Sequence, residues 1–200
     1  MELLYHGTTK KYKKYDISHS FEGDGKNKFG LGANVTESYA TAALYSHNKS
    51  RPNEKDHYVI TFEAPDLTED NHLSYYYPIH PSILKRTEEA LGEKIPDEVK
   101  TEAKYLRKYV GNRLIGKKGT IKQLYSKSDN DSEKAATKFF SEIGLEYYIW
   151  PVDWKNPTLT NRVALNADKL RVVRIDKVEL NPKSHKLIEG SQIEVPLDSF

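Results

Sequence analysis

YHGTT, Tyr5 to Thr9, closes an apolar opening stretch, MELLYH (1–6), that reads as a first β-strand. Read alone, His6 is a buried histidine bonded to a backbone group, because such rings are only intermediately exposed in folded chains. Its second reading is a ligand contact at a strand end, where Gly7 lets backbone amides come close to a bound molecule. The residues downstream decide between them. GTTKKYKKYDI continues as a basic, turn-like segment, and SFEGDGKNKFGLG (20–32) holds four glycines without apolar period, so it is expected as a loop. ANVTESYATAALYSH then changes character. Val35 ends a short strand, Thr36 is placed to cap a helix, and Glu37 suits the first turn. On that helix Tyr39 and Ala43 are four apart and Ala42 and Tyr45 three apart, so each pair shares a face.

Farther along, HYVITFEAP (57–65) has the β-branched and aromatic content of a core strand. Helices are expected between His80 and Val110, because Pro81 and Pro96 each stand at a first helical position. GKKGTIKQLY is expected as a turn and a short strand or bridge. DSEKAATKFFSEIG predicts a helix capped by Asp131 or Ser132, with Ala135, Ala136, Phe139, Phe140 and Ile143 inward and Gly144 at its end. Three strand-like runs come after it, LEYYIW (145–150), NRVALN (161–166) and LRVVRIDKVEL (170–180), the first two separated by PVDWKNPTLT. Strands at both ends with helices between them imply an α+β class with a mixed or antiparallel sheet. The 200 residues suit one domain, with a helical, basic insertion at about 80–127.

Composition narrows the function classes. With 37% hydrophobic and 30% charged residues the chain has ordinary globular character, but 14 tyrosines against 6 phenylalanines favour rings suited to ligand contact. No stretch reaches the roughly 20 apolar residues of a membrane span, and the start lacks a secretory apolar run, so the chain reads as cytoplasmic and without a membrane partner. No cysteine is present, which removes disulfides and thiolate zinc sites, and the seven histidines lack HExxH-type spacing, so no metal is expected. Net charge is only +2, yet Lys100 to Lys127 holds nine Lys or Arg against Glu102 alone, interleaved with tyrosines. The bland reading is a solvated helix face; the functional one is phosphate contact through Lys104, Arg107, Lys108, Arg113, Lys117 and Lys118.

The glycines of FGLGANV (29–35) do not make a dinucleotide loop, since a loop precedes them and Val35 occupies the third glycine's place. GxxxxGK[ST] and GxSxG are absent, and no thiol nucleophile exists. What remains is YHGT, then FGLGxxVT about 23 residues on, a tyrosine-bearing helix, and a late strand NRVALN. This combination resembles the ADP-ribosyltransferase superfamily, in the His-Tyr-Glu branch of diphtheria toxin and the poly(ADP-ribose) polymerases, and its small bacterial and phage-associated members.

The resemblance implies a split antiparallel or mixed sheet with packed helices, NAD as the bound dinucleotide, and transfer of ADP-ribose to a macromolecular acceptor, protein or RNA/DNA. It implies a toxin or phage effector as setting and leaves room for an antitoxin partner. His6-Gly7-Thr8 matches the motif whose histidine bonds a ribose hydroxyl and whose glycine backbone holds the nicotinamide amide. Phe29 to Thr36 matches the second motif, bringing Gly30, Gly32, Asn34 and Thr36 to the ligand with Tyr5. Tyr45 takes the place of the ring that stacks on nicotinamide, with Tyr39 as substitute. The sequence departs from the branch at Asn34, where a tyrosine is usual, and at Asn161, where the catalytic glutamate is usual. Asp153, or Glu146, is the acid then left nearby. A tyrosine face can hold a cationic nicotinamide for roughly 0.5–2 kcal/mol, and a carboxylate would stabilise positive charge developing on the ribose. Without that acid, two alternatives stand beside transfer: a module that binds NAD or nucleic acid without turnover, and an NAD glycohydrolase.

Overall fold

β1 (Glu2–Thr8) lies inside an open eight-stranded sheet that contains β2 (Ala33–Thr36), β3 (His57–Ala64), β4 (His72–Ser74), β5 (Tyr147–Asp153), β6 (Asn156–Ala164), β7 (Arg171–Val178) and β8 (Ile193–Glu194). The strand order is β4-β5-β6-β2-β1-β3-β7-β8. Among these pairs only β4–β5 is parallel, so the sheet is mixed. Among the described residues five helices accompany it: α1 (Tyr39–Asn48), α2 (Pro81–Leu91), α3 (Ala103–Leu114), α4 (Ile121–Ser126) and α5 (Asn130–Glu142). The class is α+β, as the order of apolar runs implies. This computed structural model describes residues 1–16, 29–48, 50, 55–126 and 130–198. Positions 20–28 of the expected glycine loop, and Lys127, lie outside them.

Pairing along β1 is unequal on its two sides. Toward β3 every residue from Glu2 to Thr8 has a partner, whereas toward β2 the only register pair is Tyr5 with Thr36. The sheet therefore opens between His6-Gly7 and Asn34-Val35. One core cluster lies under α2, α3 and α5 and includes Ile83, Leu106, Val110, Phe140, Tyr148 and Val163. A second includes Leu4, Ile60, Phe62, Tyr147, Ile149 and Ile175. Tyr147 and Tyr148 belong to different clusters because successive strand residues face opposite sides.

Helix ends follow local chemistry. α2 starts with Pro81, His80 accepts from the Ser82 N–H, and Gly92 closes it in the left-handed region. α1 begins later than expected: Ser38, not Thr36, accepts from the Thr41 N–H, and Thr36 accepts from the Ser38 N–H instead. Pro96 precedes a 3₁₀ turn, Asp97–Val99, and not an α-helix. The IKQLY half of GKKGTIKQLY forms α4 where a short strand or bridge was expected after the turn, because Thr120 and Gln123 cap one another. The Thr120 N–H donates to Gln123 Oε1 and the Gln123 N–H to Thr120 Oγ1. PVDWKNPTLT, read as the separator of two strands, is itself largely strand. Most of it forms the β5–β6 hairpin, which tolerates Pro151 at a register shift and Pro157 near the turn.

Candidate functional site

The opening of the sheet is a cleft, open to solvent, lined by Tyr5, His6, Gly7, Asn34, Val35, Thr36, Tyr45, Trp150 and Asn161. Seven of these residues are sequence candidates: Tyr5, His6, Gly7, Asn34, Thr36, Tyr45 and Asn161. Four elements carry them, β1, β2, α1 and β6, and the last reaches the cleft because β6 pairs with β2 at Thr36 and Asn161.

His6 is 7% exposed, and its Nδ1 lies 2.6 Å from the Asn34 carbonyl. That contact needs a proton on Nδ1, which fixes the tautomer of the neutral ring. The bland and functional readings of His6 therefore coexist: it bonds a backbone group, and it lines the cleft. Tyr15 meets the imidazole edge-on at 5.2 Å and Tyr12 lies at 6.2 Å, so two rings of the KKYKKY segment hold it from behind. The Asn34 N–H donates to the Tyr15 hydroxyl at 3.4 Å. Sequence reasoning missed both rings, although their position just after the first strand was the available signal.

Tyr45 is 36% exposed, an open ring at the cleft wall. Burial pushes its hydroxyl above the usual tyrosine value, while a hydrogen bond from the Asn161 amide opposes this. Asn161 is 2% exposed, and among the described residues its Oδ1 has no hydrogen-bond partner. A buried carbonyl oxygen left unpaired costs about 1–3 kcal/mol, so a ligand N–H or O–H placed there would be bound with matching advantage. Trp150, unforeseen in the sequence, pairs with Asn161 across the hairpin and stacks on Phe29 at 4.2 Å and 9°.

Other candidates lie elsewhere. Tyr39 donates its hydroxyl to buried Asp176 at 2.8 Å and meets Tyr5 edge-on at 5.3 Å, so it supports the cleft from outside. Thr8 accepts from the Lys10 N–H. Gly30 passes against Tyr148 at φ +112°, and Gly32 lies against Ala164. Asp153 is exposed near the hairpin tip, where its carboxylate accepts from the Lys155 N–H at 2.9 Å. It stands three residues beyond Trp150, about 10 Å along the strand. Glu146 pairs with Lys169 and lines nothing in the cleft. Among the described residues the cleft lining holds no carboxylate.

Behind β6, Arg162 is 1% exposed and joins three elements. Its guanidinium bonds Glu2 at 2.6 and 3.0 Å and also Glu37, whose other oxygen accepts from the Thr160 N–H. The position read as a helix-start acid is thus committed to holding β1, β6 and the start of α1 together.

The basic segment divides by burial. Arg107 is 1% exposed and pairs with Glu133 at 3.2 Å, which corrects its reading as a phosphate contact: it is a core residue between α3 and α5. Arg113 is held by Glu93. Lys104 and Lys118 are exposed, Lys108 and Lys117 less so. Burial, then Lys104 and Arg107, push Lys108 below the usual lysine value. No group of acidic or histidine side chains suited to a metal occurs among the described residues, and no described helix is long and apolar enough to cross a membrane. No family model, curated protein or solved structure matches this chain.

Proposed function

We propose that the cleft binds NAD through its nicotinamide-ribose end and that the protein is a mono-ADP-ribosyltransferase acting on a macromolecular acceptor, on an ADP-ribosyltransferase-like split sheet. The observation that carries this reading is the meeting of His6, Tyr45 and Asn161 in one cleft although they stand far apart in sequence. NAD would supply a ribose carbon bearing a cationic leaving group. Tyr45 offers an exposed ring face to that cation. Asn161 offers the unpaired Oδ1 to a carboxamide or hydroxyl donor, and it is this buried acceptor that makes the lining fit the dinucleotide. His6, with its tautomer set by Asn34, orients a ribose hydroxyl.

The lack of a carboxylate in the described lining favours a second reading, a module that binds NAD without turnover. An amide cannot neutralise positive charge on the ribose, a term usually worth several kcal/mol of barrier. Incubation with NAD labelled in its adenylate and a cell lysate separates the readings. Transfer predicts a labelled macromolecule and released nicotinamide, hydrolysis predicts nicotinamide alone, and the module predicts neither while still binding NAD. Failure of the protein to bind NAD at millimolar concentration would contradict all three.

A further inference from the structure

The β5–β6 hairpin and the turn after β4 carry a row of open rings. Tyr76 is 44%, Tyr77 56% and Trp154 51% exposed. Tyr76 meets Tyr77 edge-on at 4.8 Å and lies 6.0 Å from Trp154. The row springs from Tyr75 and Trp150, both packed around Phe29, which is edge-on to Tyr75 at 5.2 Å. Trp150 itself lines the cleft and, through Phe29 and Tyr75, connects it to the turn that carries Tyr76 and Tyr77. Three large rings exposed together call for an explanation, because single exposed apolar residues are ordinary and a cluster is not.

The charge on the helical layer that meets the base of the row bears on what suits this surface. α3 lies against the base of the row: the Arg107 guanidinium is 5.5 Å from the centre of the Tyr75 ring and bonds its hydroxyl. Tyr105 and Ile121 pack on the same core as Tyr75 and Trp150. On this layer Lys100, Arg107 and Arg113 are neutralised by carboxylates. Lys104, Lys118 and Lys122 are exposed and, like half-buried Lys108, form no salt bridge among the described residues, although Glu133 acts on Lys108 electrostatically; Lys155 follows Trp154 in the chain. Open rings with unpaired lysines match the requirements of single-stranded nucleic acid, whose bases stack on aromatic faces while its phosphates seek cations. A peptide would use the rings but gives no reason for the lysines.

We propose that Tyr76, Tyr77 and Trp154 form a stacking platform for unpaired nucleobases, which makes single-stranded nucleic acid the acceptor brought to the cleft. The role as acceptor rests on the NAD reading above; the platform itself does not.

The test is fluorescence anisotropy of a labelled 15-residue oligothymidylate, without NAD, against a duplex of the same length. The single strand should bind more tightly. Trp154→Ala and Tyr77→Ala should each weaken it about 5- to 150-fold, whereas Tyr77→Phe should change it by less than about twofold, because a phenyl face still stacks. Lys104→Gln with Lys108→Gln should reduce the salt slope by about 1.4, at roughly 0.7 per phosphate contact. Unchanged thermal melting of these surface variants checks that the fold persists. Equal binding of duplex, or indifference to both alanine substitutions, would overturn the platform. So would ring-dependent labelling of a lysate protein by a chain that binds no oligonucleotide. Oligonucleotide binding by a protein that binds no NAD would leave the platform standing and remove its acceptor role.

Discussion

Gly7 of β1 lies directly beneath the Ala42 carbonyl of α1: a Cβ at position 7 would overlap that oxygen and come within 2.7 Å of the Ser46 nitrogen. The close approach is what sets α1, and with it Tyr45, over the opening in the sheet. Ala42, Ala43 and Ser46 form the buried face of the helix, all small, so backbone meets backbone here. Because both neighbours are main-chain atoms, neither can rotate away. Gly7→Ala is expected to destabilise the protein by about 3 kcal/mol or more, above the usual range for overpacking, as read by urea unfolding. A loss below about 1 kcal/mol would mean that α1 does not sit this close.

Asn161 should show the signature of a binding residue that carries a stability cost. Its Oδ1 is buried and unpaired, so Asn161→Leu, similar in volume, removes an unsatisfied acceptor along with the amide's bond to Tyr45, and the two effects should offset to within about 1 kcal/mol of stability. The same substitution should weaken NAD binding at least about tenfold, the equivalent of one lost hydrogen bond. Calorimetry and a melting curve on one variant read both quantities. Unchanged affinity would remove Asn161 from the site.

Arg162 joins β1, β6 and the start of α1 through Glu2 and Glu37. Removing the guanidinium strands two carboxylates around a buried space. Arg162→Met should therefore cost about 3–5 kcal/mol, measured by denaturant unfolding. A cost under about 1 kcal/mol would show that the network is not holding the sheet.

Much of this architecture can be read in the sequence, and the misses have physical causes. MELLYH, HYVITFEAP and the helix around Phe139-Phe140 declare themselves because burial and period agree. The hairpin was obscured by Pro151 and Pro157, which argue against a strand until cross-strand pairing is known; with it the place of Trp150 in the cleft lining and the exposure of Trp154 were hidden. α4 had a signal, the T-x-x-Q box at Thr120 and Gln123, too short to outweigh two glycines and two lysines nearby. Arg107 was indistinguishable in sequence from Lys104 and Lys108, since only the distant Glu133 reveals that it points inward. The cleft residues could be named but not placed. Their meeting depends on the β2–β6 register and on Gly7, both long-range facts.

Stability should fall on both sides of neutrality. Burial holds His57 and His72 below the ordinary imidazole value of 6.5, so their contribution is complete above that value and is lost as pH falls through it. Glu88, bonded by Lys94 and the Ile95 N–H, is lowered to about 2, and its contribution disappears between pH 4.5 and that value. On the alkaline side burial, then Asp176, raises Tyr39 well above 10, so its contribution holds below pH 10 and is lost above it. Melting temperature against pH should show a broad plateau with an acid shoulder starting near pH 6.5. His72→Asn should shrink that shoulder, and an unchanged shoulder in both His72→Asn and His57→Asn would refute the assignment.

The most direct measurement is a crystal structure of the protein with a non-hydrolysable NAD analogue. The nicotinamide ring is expected against Tyr45, with a ligand donor within hydrogen-bond distance of Asn161 Oδ1 and a ribose hydroxyl at His6. A dinucleotide bound away from all three residues, or a cleft that excludes it at saturating concentration, would contradict this expectation.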